Sequence, residues 1–273
     1  MKAPLYDLDR AASLDEAVTL LARDAFFKPI AGGQSLGAML NLRLARPERL
    51  IDLDALPALR EAHLTDGGLV LGAMVTHAAL EDGRVPDVTH GMLAQVARGI
   101  AYRAVRNRGT VGGSLCHADP AADWVSAMAA MGATCVLRGA QGERHVPASA
   151  FLRSAFEPDV EPAEVLTAVR IPAFGAGARW GYRKHCRKTG EFAMAIVAGL
   201  HDPQRGIERL VFGALDGAPQ VIEGAGLLAG LARATARQDL IASAGLATPV
   251  DRAALHLDLL GSVLTDLGVA HED

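Results

Sequence analysis

Two short stretches carry the residues that could do chemistry. One is AGGQSL at 31–36, and the other is TVGGSLCHADPAAD at 110–123. Each runs from an apolar residue through Gly-Gly to Ser-Leu, and Gly32 and Gly112 stand eighty positions apart. Glycine permits left-handed backbone and leaves no side chain in the way. Consecutive N–H groups can then converge on one anion, and a serine hydroxyl adds a donor beside them. Two such segments could hold the two phosphates of a dinucleotide between them. Two tight turns, in a chain with 29 glycines, are the plainer reading. Neither stretch is a GxGxxG fingerprint or a Walker A loop, so a dinucleotide here would not bind in the Rossmann manner.

The polar residues that follow widen the choice. Asp119 precedes Pro120, so it could cap a helix with proline at the first position. It could instead accept hydrogen bonds from ribose or ribityl hydroxyls, since an ionised carboxylate only accepts. Asp123 lies four residues on and would share a face with it on that helix. His117, Asp119 and Asp123 lack HExxH spacing, and a single local histidine argues against a metal site. Cys116 and His117 are adjacent, with no distal base indicated, which argues against a nucleophile pair.

Half of the 273 residues are apolar, about a fifth are charged, and the net charge is -4. That supports a sizeable core and argues against disorder. The absence of an extended basic run argues against nucleic acid as a partner. Cys116, Cys135 and Cys186 are scattered with no CxxC, so neither a disulfide framework nor an iron–sulfur cluster is expected on this chain. Acidic residues break the N-terminal apolar runs, and no stretch reaches the length of a membrane span. The expectation is a soluble cytoplasmic protein.

Regular elements must hold the two stretches in place. Ser13 and Glu16 form a capping box for a first helix, with Leu14, Val18 and Leu21 on one face. PIA at 29–31 reads as a strand running into Gly32-Gly33, MLNLRL as helical or irregular, and RLIDL at 49–53 as another strand. Gly67-Gly68 turns into a strand over 69–73, Thr76 begins a short helix, and a second helix is expected over 90–100. RNRGTVGGSLCHADP reads as a glycine-punctuated segment, followed by a helix from Asp119-Pro120 to near Gly132. TCVLRG and GERHVPA make a hairpin, and VLTAVRIP a strand. PAFGAG at 172–177 marks a boundary. Beyond it RWGYRKHC, AMAIVAGLHD and GIERLVFGALD read as an antiparallel meander, and the last forty-odd residues as helices broken at Pro249.

Three stretches together resemble a known family. AGGQSLGAMLNLRLARPERLIDL (31–53), RNRGTVGGSLCHADPAADW (106–124) and YRKHCRKTGEFAMA (182–195) resemble, in order and spacing, motifs of the flavoprotein (medium) subunits of the xanthine dehydrogenase and aerobic carbon monoxide dehydrogenase family. The resemblance spans nearly the whole chain. It implies an α+β fold: a two-part FAD-binding domain of the cresol methylhydroxylase/vanillyl oxidase type, then a C-terminal domain with an antiparallel sheet and helices. The implied divisions are 1–55, 56–172 and 177–273. Ala31, Gly32, Gly33, Gln34, Ser35 and Leu36 would wrap the FAD pyrophosphate from one side. Thr110, Val111, Gly112, Gly113 and Ser114 would do so from the other, with Asn107 and Gly109 on the approach. Asp119 and Asp123 would hydrogen-bond the sugar-like part of FAD. Tyr182 and Lys184 would lie near the flavin ring; a core tyrosine and a solvated strand lysine are the plainer alternatives. Arg106, Arg108, Arg187 and Lys188 could neutralise phosphate or be surface charge.

The function implied by the resemblance is electron relay in a molybdenum hydroxylase complex. Substrate would be hydroxylated at a molybdenum cofactor on a large partner subunit. Electrons would leave through two 2Fe-2S clusters on a small partner subunit, and the complex would be a dimer of heterotrimers. FAD on this chain would collect them and pass them to an external acceptor. No acid or base of this chain would be catalytic. KTGEF at 188–192 leans towards the carbon monoxide dehydrogenase branch. The alternatives are a free-standing FAD oxidoreductase of the same fold, a nucleotide-binding interaction module without redox function, and a metallohydrolase around His117.

Overall fold

The computed structural model describes residues 2–270. The chain is α+β, and its described residues form three sheets of three to five strands and one two-stranded pair. The first is parallel, built from β1 (Asp7–Arg10), β2 (Phe27–Ile30) and β3 (Arg49–Asp52) in the order β1-β3-β2. Helix α1 (Leu14–Leu21) joins β1 to β2, and α2 (Leu36–Asn41) follows the AGGQS turn. The Ser13 hydroxyl accepts the Glu16 N–H at 3.1 Å, and the Glu16 carboxylate accepts the Ala12 N–H at 2.7 Å. These bonds satisfy donors that the first helical turn leaves open. The α1 face bearing Val18 and Leu21 is buried against this sheet.

The second sheet is antiparallel, in the order β4-β5-β10-β6-β7. Its strands are β4 (Ala62–Thr65), β5 (Gly68–Gly72), β6 (Thr134–Gly139), β7 (Gly142–Pro147) and β10 (Val165–Pro172). Between β5 and β6 run α3 (His77–Glu81), α4 (Met92–Gly99), α5 (Arg103–Arg106), α6 (Val111–His117) and α7 (Asp123–Met131). A short α8 (Ala148–Phe151) and the paired strands β8 (Leu152–Ser154) and β9 (Glu157–Pro158) fill the connection to β10.

The third sheet is the expected meander. It runs β11 (Arg179–His185), β12 (Ala195–Asp202), β13 (Ile207–Gly213) and β14 (Gln220–Glu223), each antiparallel to the next. Helices α9 (Ala234–Ser243) and α10 (Val250–Leu267) close the chain. Ile196, Ala198 and Val211 join the cluster containing α7, whereas Ala195, Val197, Leu210 and Phe212 join the cluster containing α10. Covered on both faces, β12 reads as a continuous apolar run instead of an alternating one. Every residue of α7 is buried, as a helix apolar all round should be. It lies between the second and third sheets, and its first residue is Asp123.

Two local expectations are corrected. TVGGSLCH is a helix, not a loop: the Thr110 hydroxyl accepts the Gly113 N–H at 3.1 Å and starts α6. The next helix begins at Asp123, four residues after Asp119. Ala118 is left-handed (φ 55°) and ends α6. The Asp119 carboxylate accepts the Ala121 N–H at 2.9 Å, and its carbonyl accepts the Ala122 N–H. Asp119 therefore shapes a turn between helices, a role its short acceptor suits, and it shares no helical face with Asp123.

Candidate functional site

The two glycine stretches meet. A Cβ on Gly32 would collide with the backbone carbonyl of Arg108 and lie 3.0 Å from Gly109 Cα. A Cβ on Gly113 would lie 3.3 Å from Ala31 Cβ and 2.8 Å from the Thr110 hydroxyl. A Cβ on Gly112 would lie 2.5 Å from that of Ala73, just beyond β5. Gly32 and Gly112 allow close approach to neighbouring backbone, and Gly113 allows close approach to the Ala31 and Thr110 side chains. Gly33 alone of the four is left-handed (φ 69°), where it turns the chain from β2 into α2.

Hydrogen-bond accounting separates the two sides. In the second stretch the amides are occupied: Val111 donates to the Val75 carbonyl, Gly112 to Ala73, Gly113 to the Thr110 hydroxyl and Ser114 to the Thr110 carbonyl. In the first stretch the N–H groups of Gly32, Gly33, Gln34 and Ser35 donate to no acceptor among the described residues. The Gln34 amide folds back onto the Gly32 carbonyl at 3.1 Å. Ser35 precedes α2 without a capping bond, so its hydroxyl stays free to donate, as does that of Ser114. Four consecutive free amides beside a glycine surface make a nest suited to an anion. Leu36 packs beside Leu40, and Val111 and Thr110 are buried, so these three shape the stretches from behind.

The acidic residues have inward partners. Asp123 is buried at the start of α7, and its Oδ1 accepts both the Tyr182 hydroxyl and the Lys184 ammonium at 2.7 Å. Lys184 also donates to the Gly99 carbonyl at 2.9 Å, at the end of α4. This node ties α4, α7 and β11 together. Burial, then the neighbouring Asp123 carboxylate, pushes the Tyr182 phenol up, which keeps it a donor. The Oδ2 atoms of Asp119 and Asp123 accept no donor among the described residues. Each carboxylate thus keeps one oxygen for a hydroxyl from outside.

The cations divide. Arg106 is held by both Glu81 oxygens at 2.7 and 3.0 Å and by the Ile100 and Ala101 carbonyls. Asn107 accepts from Arg103 at 2.9 Å, so its side chain faces that network. Arg187 is exposed and 3.4 Å from Glu191. Arg108 and Lys188 have no charged partner among the described residues. Among those residues no group of side chains has the makings of a metal site, and no helix is long and apolar enough to cross a membrane. The His117 ring lies against Phe156, with centroids 5.4 Å apart. Burial pushes the Cys116 thiol up to about 12, away from nucleophilic chemistry.

Sequence reasoning missed His77 and Trp124. The Trp124 indole N–H donates to His77 Nδ1 at 3.1 Å, and both side chains are buried. The only sequence signal was Thr76 as a helix start; nothing local marked its neighbour. Burial first, then the nearby Arg106 charge, lowers the His77 pKa from 6.5 to about 4. The unfolded chain therefore takes up a proton near pH 6.5 that the native state refuses. The stabilisation is complete above that pH and drains away as pH falls towards 4. Denaturant unfolding of FAD-free protein should show wild type losing roughly 2–3 kcal/mol more than His77→Gln between pH 7 and pH 4.5. Parallel stability curves for the two proteins would contradict this.

Comparison with known proteins gives the site its setting. Residues 6–174 match the family model described as the FAD binding domain in molybdopterin dehydrogenase. The carbon monoxide dehydrogenase medium chain of Hydrogenophaga pseudoflava is 39% identical over 201 residues, covering 72% of this chain and 69% of that one. The 6-hydroxypseudooxynicotine dehydrogenase complex subunit alpha of Paenarthrobacter nicotinovorans is 36% identical, covering 73% and 68%. The solved carbon monoxide dehydrogenase from Hydrogenophaga pseudoflava that lacks the Mo-pyranopterin moiety superposes with TM-score 0.88 at 31% identity, over 98% of this chain and 99% of that chain. With the matched region holding both glycine stretches and Asp123, the chain belongs to the FAD-binding, medium-subunit family of the molybdopterin dehydrogenases.

Proposed function

We propose that this chain is the FAD-carrying electron-relay subunit of a molybdenum hydroxylase complex. The observation that carries the reading is the meeting of AGGQS with TVGGS, with four free amides on the first side. The amides of Gly32–Ser35 and the hydroxyls of Ser35 and Ser114 would hold the pyrophosphate, with Gly112 and Gly113 providing close approach. The Oδ2 atoms of Asp119 and Asp123 would accept from the sugar-like hydroxyls. Tyr182 and Lys184 would fix Asp123 and border the flavin end of the site. Bound FAD would supply one- and two-electron redox chemistry between 2Fe-2S clusters on a small partner subunit and an external acceptor. Substrate hydroxylation would belong to a large molybdenum-cofactor subunit. The three sheets support a division into two FAD-binding subdomains, 1–55 and 56–172, and a C-terminal domain from 177. Medium-chain and complex-subunit names among the relatives support the partners, and the assembly would be a dimer of heterotrimers. Such a complex would work in the cytoplasm.

The test is purification of the tagged chain from its native host, with flavin, molybdenum and iron measured on the same sample. FAD, molybdenum and iron should copurify with two further subunits. A yellow chain without molybdenum or iron would instead support a free-standing flavin oxidoreductase. A chain that stays colourless after FAD addition would support a non-redox nucleotide-binding module.

A further inference from the structure

We propose that His77 is the positioning residue of the cradle: a neutral imidazole, protonated on Nε2, that holds Gly109 and through it the Thr110–Ser114 turn against Ala31–Ser35. This rests on the FAD reading above and adds a residue outside both glycine stretches.

The contacts form a continuous chain. Trp124, wholly buried on α7, donates its indole N–H to His77 Nδ1 at 3.1 Å. Indole nitrogen only donates, so Nδ1 must be the acceptor and the neutral ring carries its proton on Nε2. The His77 ring then lies against Gly109. A Cβ there would sit 2.9 Å from both Cδ2 and Nε2 of the ring. The His77 backbone N–H donates to the Gly109 carbonyl at 3.0 Å, and Thr76 bridges to Thr110. Gly32 in turn is packed against the Arg108–Gly109 peptide: a Cβ there would meet the Arg108 carbonyl first and lie 3.0 Å from Gly109 Cα. A displacement at His77 is therefore passed through Gly109 to the junction of the two stretches. A buried side chain in close-packed surroundings transmits such a shift instead of absorbing it.

The ring's protonation state matters to this arrangement. A proton on Nδ1 would set two N–H groups facing each other across 3.1 Å. Arg106, held near the ring by Glu81, adds a like charge that disfavours the doubly protonated ring. Nε2 has no acceptor among the described residues, so its proton imposes no competing orientation on the ring.

The test uses the full chain in four single variants, His77→Ala among them, and the Gly109→Ala/His77→Ala double. His77→Leu fills space but cannot accept from Trp124. His77→Gln keeps an acceptor oxygen. Gly109→Ala presses on the ring. FAD affinity is read by quenching of flavin fluorescence. The Trp124 indole N–H resonance is read by NMR, with Trp180→Phe for assignment. His77→Leu should weaken FAD by roughly 10–100-fold, the scale seen when an outer partner of a binding group is removed. It should also shift the indole resonance, and His77→Gln should restore most of both. Gly109→Ala should weaken FAD in the wild-type background but less beside His77→Ala, since the two ring contacts at 2.9 Å are then gone and only the Val105 carbonyl at 3.1 Å still crowds the methyl. Folded His77→Leu protein with wild-type affinity would overturn the proposal, and so would Gly109→Ala and His77→Ala effects that simply multiply. If wild type binds no FAD, the cradle reading itself has failed. The indole shift and the coupling of Gly109→Ala with His77→Ala, read on melting temperature, then still decide whether His77 holds the turn.

Discussion

Gly32→Ala should strip the chain of FAD while leaving its secondary structure in place. The added methyl would collide with the Arg108 carbonyl and crowd its carbon at 2.7 Å. Both neighbours are backbone, so no rotamer change relieves the clash. The turn after β2 and the segment entering α6 must move apart, and the free amides of Gly32–Ser35 leave their place beside Gly113. An affinity loss of at least about 100-fold is expected, near 3 kcal/mol. Gly37→Ala is the control, because nothing lies within 4 Å of the position its methyl would take. Flavin titration by fluorescence, with circular dichroism on the same samples, measures both sides. Normal flavin occupancy in a folded Gly32→Ala protein would remove the junction from the cofactor site.

The second large effect is on the fold itself. Asp123→Ala should cost about 3 kcal/mol of stability even without FAD. It leaves the Lys184 ammonium, whose side chain is only 17% exposed, facing the Gly99 carbonyl alone, and it strands the buried Tyr182 hydroxyl. Removing one member of a buried pair costs more than removing both, because the orphaned charge stays desolvated. Asp123→Ala with Lys184→Met should therefore be more stable than Asp123→Ala alone. Denaturant unfolding of the four proteins of that cycle supplies the coupling. Equal stability of wild type and Asp123→Ala would mean that this node does not fasten β11 to α7. A further loss of FAD affinity beyond the stability change would mark the free Oδ2 as a ligand contact.

Asp123 shows how far a sequence can be read. Its nearness to the glycine pair and the resemblance of its surroundings made it a candidate acceptor. Its actual partners, Tyr182 and Lys184, lie 59 and 61 residues away on β11 of the third sheet. No local pattern records such a contact. The glycine pair of TVGGSL misled in the opposite direction. Glycine disfavours helix by roughly 1 kcal/mol relative to alanine, and the segment reads from sequence as glycine-punctuated, with no helix marked there. The packing of Gly112 against Ala73 requires an absent side chain, and the Thr110 cap supplies the start that propensity does not.

The sequence by itself determined the elements whose signals are local. These are the Ser13–Glu16 box, the strand entering Gly32-Gly33, the meander after 177, and the pair of similar stretches that pointed to a dinucleotide. Tertiary structure decided which atoms of those stretches remain free. The occupied amides of Val111 and Gly112, and a histidine wedged behind Gly109, follow from contacts between segments tens of residues apart, and the same packing brings no acceptor to the amides of Gly32–Ser35. Hydrogen-bond saturation is a property of the whole folded chain, because each buried donor takes whatever acceptor the packing brings to it.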